Sequence, residues 1–360
     1  MNRAIDVFQA ERGSAGCADI PSVHLLEPHQ AKRWDEFVSF CPEATFFHRA
    51  GWQTIIERAF RHKTWFLYAE SKGKIHGVLP LAEIDSRLFG HSLSSLPFCV
   101  YGGIAAASEP ARQALDDAAQ ALASRLQVDY LEYRNLGVPH PQWPTKDLYV
   151  TFRKAIASEV EENMREIPRK QRAMVRKGMK AGLKSVIDED TSRFFLAYSS
   201  SVHRLGTPVF SKDYFRLLKE VFAQDCELMI IEKDGRIISG VMSFYFRDEV
   251  LPYYGGGTHE ARESAGNDFM YWELMRRACE RGYKTFDFGR SKRNTGSFDF
   301  KKNWGFEPQP LHYEYQLHAA DAVPDHNPLN PKYQLFIKAW RKLPLRLANL
   351  IGPHIVKNLG

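Results

Sequence analysis

The chain has 360 residues, of which 44% are hydrophobic, 13% aromatic and 26% charged. That balance can bury a sizeable core and excludes a disordered, collagen-like or fibrous protein, while the length predicts two domains of about 150–200 residues. Forty-nine Lys and Arg against 43 Asp and Glu leave a formal charge of +6, a mild excess whose placement matters more than its size. No run of about 18 uncharged apolar residues occurs, and the opening MNRAIDVFQAERG has no apolar h-region. The expectation is a cytoplasmic chain with neither a membrane span nor a Sec leader. Five cysteines (Cys17, Cys41, Cys99, Cys226 and Cys279), with no CxxC pair and no histidines at metal spacing, point to a reduced compartment and no metal.

Taken in chain order, one succession of elements occurs twice, about 155 to 163 residues apart. Thr64 to Glu70, the turn SKGK and Ile75 to Ile84 predict a β-hairpin. Ser108 then stands where it can cap a helix with Leu115, Ala118, Ala119, Leu122 and Leu126 on one face, and LEYR (Leu131 to Arg134) follows as a strand. In the second half Cys226 to Glu232, KDGR and the run from Ile237 repeat the hairpin. Ser264 precedes a helix with Asp268 early and Arg276, Arg277 and Arg281 late, ahead of FDFGR (Phe286 to Arg290). Hairpin, helix and strand, twice over, predict a mixed sheet in each half.

Between the halves, residues 165–184 carry eight basic side chains and one acid, Glu166. Taken as a helix from Pro168, the seven bases Arg169, Lys170, Arg172, Arg176, Lys177, Lys180 and Lys184 cover almost half the circumference and leave Val175 and Met179 as an apolar seam. So dense a charge repels itself unless a polyanion or acidic surface answers it, although a solvated helix face is the plainer reading. From His326 onward there are six Lys or Arg and no acid. There Tyr333, Phe336, Ile337, Trp340 and Leu343 make an apolar face opposite Lys338, Arg341 and Lys342. This tail either lies on an anionic membrane or packs its apolar face back on the protein.

The richest local chemistry lies in residues 284–317, where a strand ending at Asp287 meets a Gly turn, Arg290, Lys292 and Arg293, and then an amphipathic piece with Lys301, Lys302 and Trp304. Strand ends beside loops are where open α/β sheets bind ligands. Tyr253, Tyr254 and the Gly255 to Gly257 run could line such a cleft or form a loop with positive φ.

FDFG paired with FKKNWG, behind the basic RKQRAMVRKGMKAGL helix and a GGG strand-loop, resembles the FemAB family of aminoacyl and acyl transferases. IPRKQRAMVRKG, FDFGRSKRNTGSFDFKKNWGFEPQPLHYEY and the ending NLIGPHIVKNLG resemble, more narrowly, the FemAB-like proteins of exosortase and PEP-CTERM systems. The likeness runs from about residue 22 to the end. It implies an α/β (α+β) fold of tandem duplicated GNAT-like (acyl-CoA N-acyltransferase-like) domains with mixed sheets. The expected division is a first domain over 22–157, a second over 158–318 with the linking helix 165–184, and a basic tail over 319–360.

The resemblance also implies a reaction. Family members move an amino acid from an aminoacyl-tRNA ester to an amine on a peptidoglycan precursor, and the related branch is associated with exopolysaccharide assembly. Lys301 falls on the lysine of the family's FK-x-x-[FW]-G motif, at the reaction centre, and Asp287 on the acid of its (Y/F)DF-x-G run. Acyl transfer needs a neutral amine, a cationic or N–H-rich site for the carbonyl oxygen, and a proton for the leaving atom. Lys301 suits the second need, and Asp287 either orients the amine or holds Arg290. Arg290, Lys292, Tyr254 and Trp304, with His48 and Trp52 of the FFHRAGW run, are the substrate-binding candidates, although a packed aromatic is the plainer reading of Trp52. Arg169, Arg172, Arg176 and Lys180 are candidates for gripping a polyanionic donor.

No Ser-His-Asp or Cys-His spacing stands out, so direct attack in a ternary complex is expected rather than an acyl-enzyme. No permanently bound cofactor is expected; the donor is aminoacyl-tRNA or acyl-CoA. The (R/Q)-x-x-G-x-(G/A) pyrophosphate loop of acyl-CoA enzymes is only approximated by Arg262 to Asn267, which shifts weight from CoA toward tRNA. The acceptor expected is an envelope glycan or its precursor, met at the inner face of the membrane. Two alternatives stay open: an acyl-CoA-dependent N-acetyltransferase of exopolysaccharide biosynthesis, and a non-catalytic RNA-binding or membrane-surface scaffold.

Overall fold

The structure is a computed structural model that describes residues 20–86, 90–137, 140–323 and 331–358. Cys17 and the opening segment expected to carry no leader lie outside the described residues. Cys41, Cys99, Cys226 and Cys279 are buried and outside any disulfide. Among the described residues no group of His, Cys, Asp and Glu could hold a metal, and no helix is long and apolar enough to cross a membrane.

The chain divides into two compact units. The first takes 20–147 and 311–323, and the second takes 148–310 with 331–357. In the first, β1 (Ser22–Leu25), α1 (Ala31–Phe40) and α2 (Gly51–Ile55) precede the hairpin of β2 (Lys63–Ser71) and β3 (Lys74–Ser86). Then come β4 (Gly90–Ser95), β5 (Ala105–Ala106), α3 (Glu109–Leu126), β6 (Tyr130–Asn135) and β7 (Thr145–Lys146). The hairpin forms where the sequence predicts it, with Trp65 opposite Leu81 and Leu67 opposite Leu79. α3 crosses over to set β6 parallel to β4, burying Ala111, Leu115, Ala119, Leu122 and Ala123 against the sheet. Ser108 occupies the N-cap position, but its side chain makes no capping hydrogen bond.

The second unit opens with β8 (Tyr149–Ala155), α4 (Val160–Glu166), α5 (Arg169–Lys180), β9 (Lys184–Asp188), α6 (Thr191–Leu205) and α7 (Lys212–Phe222). The repeated hairpin is β10 (Cys226–Lys233) and β11 (Arg236–Phe246), followed by β12 (Glu249–Gly257), α8 (Glu260–Glu263), α9 (Gly266–Glu280) and β13 (Thr285–Asp287). β14 (Ser291–Lys292), α10 (Gly296–Asn303) and β15 (Pro308–Pro310) complete the region of the sequence motifs. Here α9 is the crossover that sets β13 parallel to β12, burying Phe269, Met270, Leu274, Met275 and Ala278. It starts at Gly266, one residue later than a cap at Ser264 implies, after Ala265 in a left-handed conformation.

The pairing of the last strands departs from the sequence reading. β8 runs antiparallel to β13 in the second sheet, with Arg153 opposite Asp287. β16 (His312–Leu317) returns to the first sheet and runs antiparallel to β6, with Tyr313 opposite Arg134. Each sheet thus takes a strand from sequence that the motif reading assigned to the other half. The expected boundaries after residues 157 and 318 shift to 147 and 310, because hydrogen-bond partners and not sequence order decide membership. The tail adds α11 (Pro331–Trp340) and α12 (Leu345–Val356) to the second unit.

β16 also closes a buried polar group in the first unit. Glu314 and Asp116 grip His140 at its two ring nitrogens, Nδ1 at 3.1 Å and Nε2 at 3.1 Å, while Tyr133 and Asn135 donate to the same two carboxylates. The ring stacks on Trp143 at 3.9 Å. Burial works against the imidazolium, but the hydrogen bonds and charges of Asp116 and Glu314 outweigh it and push His140 up to about 9. A base with a raised folded pKa stabilises fully below its unfolded value, and the contribution goes as pH rises through the folded one. The stability difference between the natural chain and His140→Gln is therefore expected to be largest below about pH 6.5, at about 2–3 kcal/mol, and to shrink from there until it levels off above about pH 9. Urea midpoints of the two proteins from pH 6 to 10 check this.

Candidate active site

β13 delivers Asp287 into the second unit, where its carboxylate is 1% exposed. Oδ1 accepts from the Gly289 N–H at 2.7 Å and from Thr151 Oγ1 at 3.4 Å, and Oδ2 faces Arg153 Nε at 3.4 Å. Arg153 turns its other end to Glu249, whose carboxyl is raised by burial, with Arg153 opposing and Asp287 adding to the shift. The bond to Asp287 fixes a turn at Gly289, where φ is +67°, a value that favours glycine. This turn aims two consecutive carbonyls back across the loop.

Those carbonyls meet Lys301. α10 carries it, beginning at Thr295, whose side chain accepts from Phe298 N. Lys301 Nζ donates to Gly289 O at 2.9 Å and to Arg290 O at 3.0 Å, and lies 5.6 Å from the Phe152 ring centre. No acceptor among the described residues meets its third N–H. Burial pulls Lys301 down from 10.5 to about 7; Asp287 resists the shift and Arg290 reinforces it. An amine poised at neutral pH in a partly dry, carbonyl-lined seat matches the requirement for a catalytic cation or proton carrier.

Arg290 and Lys292 share one platform, the ring of Tyr149, at 4.6 Å and 5.6 Å. Both are half-buried, and β14 holds Lys292 opposite Tyr149 on β8. The structure thus brings together Lys301, Asp287, Arg290 and Lys292. It adds Tyr149, Thr151, Phe152 and Arg153, which sequence reasoning missed because their strand was assigned to the end of the first half. The alternating YVTFR pattern was the available signal.

Four candidates take structural positions instead. Trp304 is 1% exposed in the core, with its indole N–H donating to Asp268 Oδ1, which also accepts from Gln171. Tyr254 is buried among Tyr198, Phe210, Tyr214 and Phe215 and shares a 2.6 Å hydrogen bond with Tyr214. In the first unit, His48 is enclosed by Thr45 and Gly103 O, and Trp52 is fully buried against Phe46 and Phe47. All four lie away from solvent with their polar atoms engaged within the protein, so they shape the fold rather than offer a binding surface. Gly255 to Gly257 form the end of β12, not a loop. A Cβ on each would come within 2.5–2.8 Å of Tyr271, Ser201 or Ala261, so it is the protein's own side chains that approach closely there.

The basic helix is shorter than the sequence suggested. Pro168 ends α4 and starts α5, whose buried line is Gln171, Val175 and Gly178, while Met179 is 43% exposed. Arg169, Arg176 and Lys180 are exposed, as are Lys170 and Lys177; Arg172 is half-buried and donates to Arg165 O at 3.0 Å. Among the described residues no carboxylate pairs with any of them.

Comparison with known proteins bears on the fold. Residues 168–302 match the family described as "Acetyltransferase (GNAT) domain". Lipid II:glycine glycyltransferases of Staphylococcus haemolyticus and Staphylococcus epidermidis are 29% identical over 86 residues, 22% of this chain. The chain spans about one fifth of the length of these curated relatives, at 20% and 21%. Among solved structures, FemX superposes with a TM-score of 0.66 at 15% identity, over 88% of this chain and all of that one. A tandem GNAT protein from the clavulanic acid biosynthesis pathway gives 0.53 at 10% identity, over 84% of this chain and 99% of its own. The chain is a tandem GNAT-like α+β fold with two mixed sheets, and it carries a GNAT acyltransferase domain.

Proposed function

We propose that this protein is a FemAB-type acyltransferase, moving an aminoacyl or acyl group to an amine of a cell-envelope glycan, peptidoglycan precursor or exopolysaccharide. The observation that carries the reading is Lys301 Nζ, seated on two main-chain carbonyls with one N–H left over. The neutral acceptor amine attacks the donor's carbonyl carbon, and the ammonium of Lys301 donates its third N–H to the oxygen as it gains charge. Collapse re-forms the C=O, breaks the bond to the leaving oxygen or sulfur, and passes the amine's proton to that leaving atom. No acyl-enzyme is needed. Asp287 serves as a positioning residue: it holds the Gly289 turn that presents the carbonyls, in place of the expected grip on the amine or on Arg290. Arg290 and Lys292, fixed over Tyr149, supply positive charge for an anionic part of a substrate.

The exposed cations of α5 favour a polyanionic donor, which aminoacyl-tRNA satisfies. Acyl-CoA is the second reading, favoured by the GNAT match over residues 168–302. Against it, Asp268 puts a buried carboxylate in the first turn of α9, where a pyrophosphate needs a positive helix end. The motifs shared with exosortase- and PEP-CTERM-associated proteins support an exopolysaccharide or lipid-linked glycan as the acceptor.

The test offers radiolabelled aminoacyl-tRNA or acyl-CoA to the purified chain together with amine-bearing envelope precursors. Product is expected from charged tRNA. The double variant Arg176→Glu, Lys180→Glu is expected to raise the KM for tRNA at least ten-fold, with little change in kcat and a shallower salt dependence. Product from acyl-CoA alone would move the assignment to the second reading. Salt-sensitive RNA binding without product from either donor would identify a scaffold.

A further inference from the structure

The tail packs part of the apolar face of α11 back on the protein, the second of the two arrangements the spacing allows. Trp340 is buried, Phe336 stacks on it at 5.5 Å, and Arg341 donates to Leu205 O at 3.1 Å. Ile337 turns in against Gly206, and the Tyr333 side chain lies outside the described residues. α12 docks through Ala348, Gly352 and Val356, an i, i+4, i+8 line that lies against the segment around Val209.

The opposite arc of α12 therefore points away from the protein. At 100° per residue that arc carries Arg346, Leu347, Leu350, Ile351 and His354. Leu350 is 67% exposed, Leu347 47% and Ile351 41%; on α11 Leu335 is 74% exposed with Lys338 also exposed, and Lys342 is exposed in the turn between the helices. Large aliphatic side chains concentrated on a solvent-facing helix arc, interleaved with Lys and Arg, have the composition of a helix lying in a membrane interface. A protein-binding face would ordinarily carry charges of both signs around its rim, whereas residues 326–360 hold six Lys or Arg and no acid.

We propose that α12 is a membrane-docking helix for anionic bilayers, in which Leu347, Leu350 and Ile351 enter the headgroup boundary and Arg346, with Lys342 just before the helix, meets lipid phosphates. This inference does not rest on the transfer reaction. The face used differs from the one the sequence spacing singled out, where Trp340 and Ile337 are turned into the protein while Phe336 is 39% exposed.

The test is co-sedimentation of the full chain with vesicles of phosphatidylglycerol and phosphatidylethanolamine, against vesicles of phosphatidylcholine alone. Binding to the anionic vesicles is expected, with at least ten-fold less to the neutral ones. Leu350→Glu with Ile351→Glu, two exposed positions whose change leaves the docked line intact, is expected to weaken anionic binding at least ten-fold while circular dichroism and thermal midpoint stay unchanged. Equal binding by that variant, or no binding by the natural chain, overturns the proposal. A concentration-dependent dimer that the same variant abolishes would also overturn it, assigning the face to a second copy of the chain.

Discussion

Lys301→Met is expected to lower transfer by at least 10²–10³-fold, the cost of losing one donor aimed at a developing oxyanion, without unfolding the chain. The reason is that burial makes the ammonium an expense to the fold. In the unfolded chain this lysine keeps its proton up to 10.5, whereas in the folded state it yields it near 7. Between those values the unfolded state binds more protons, so this group's contribution to stability rises with pH, and it is least favourable below about 7. Methionine removes that penalty but leaves Gly289 O and Arg290 O without their donor. The net gain expected at pH 6 is about 1–3 kcal/mol, fading toward pH 10. Urea midpoints at the two pH values, beside the transfer assay, check both halves. A variant that is inactive because it is less stable at pH 6 would make Lys301 a structural residue. In the natural protein, transfer that depends on the ammonium should fall as pH rises through about 7.

The second large effect belongs to the first unit. Arg134, 3% exposed, donates to Glu132 Oε1 at 3.0 Å and to Cys99 O at 2.9 Å, and its guanidinium lies 5.5 Å from the Tyr313 ring centre. Burial raises the Glu132 carboxyl, but Arg134 outweighs it and holds the group below the usual carboxylate range. Arg134→Met is expected to cost about 3–5 kcal/mol, because it strands a buried carboxylate and a buried carbonyl together. The double variant Glu132→Leu, Arg134→Met should recover much of that loss, since an apolar pair of similar volume avoids the uncompensated charge. Chemical denaturation of the single and double variants measures the coupling. A double variant as unstable as Arg134→Met would show that the carbonyls, not the ion pair, set the cost.

What the sequence made legible was local. Alternation placed both hairpins, and helical spacing placed α3 and the charged end of α9. The FDFG and FKKNWG runs led to Asp287 and Lys301, which the structure sets on opposite sides of one turn. What escaped was whatever depended on distant partners. The basic helix starts at Pro168 as the sequence predicts but stops at Lys180, short of Lys184, and Met179 faces out because Gly178 takes the place against α9. Trp304 and Tyr254 were read as ligand-facing because an aromatic residue near a motif looks the same whether it lines a cleft or fills a core. Asp268 suits the dipole of α9, but nothing in its neighbourhood tells that it accepts from Trp304, 36 residues away. Strand alternation likewise identifies β8 and β16 as strands without naming the sheet each one joins.

That exchange of strands bears on how the chain comes into being. Asn135 and Glu314, bonded at 2.7 Å, are 179 residues apart. At about 5–20 residues per second, a ribosome needs roughly 10–40 s to deliver one after the other. Throughout that interval the outer edge of β6 has no neighbour, and Asp116 and His140 lack the carboxylate that completes their cluster. The nascent first unit is therefore an unfinished sheet with an open edge, the state in which chains pair wrongly or call on chaperones. Its completion waits until β16, His312–Leu317, has been made.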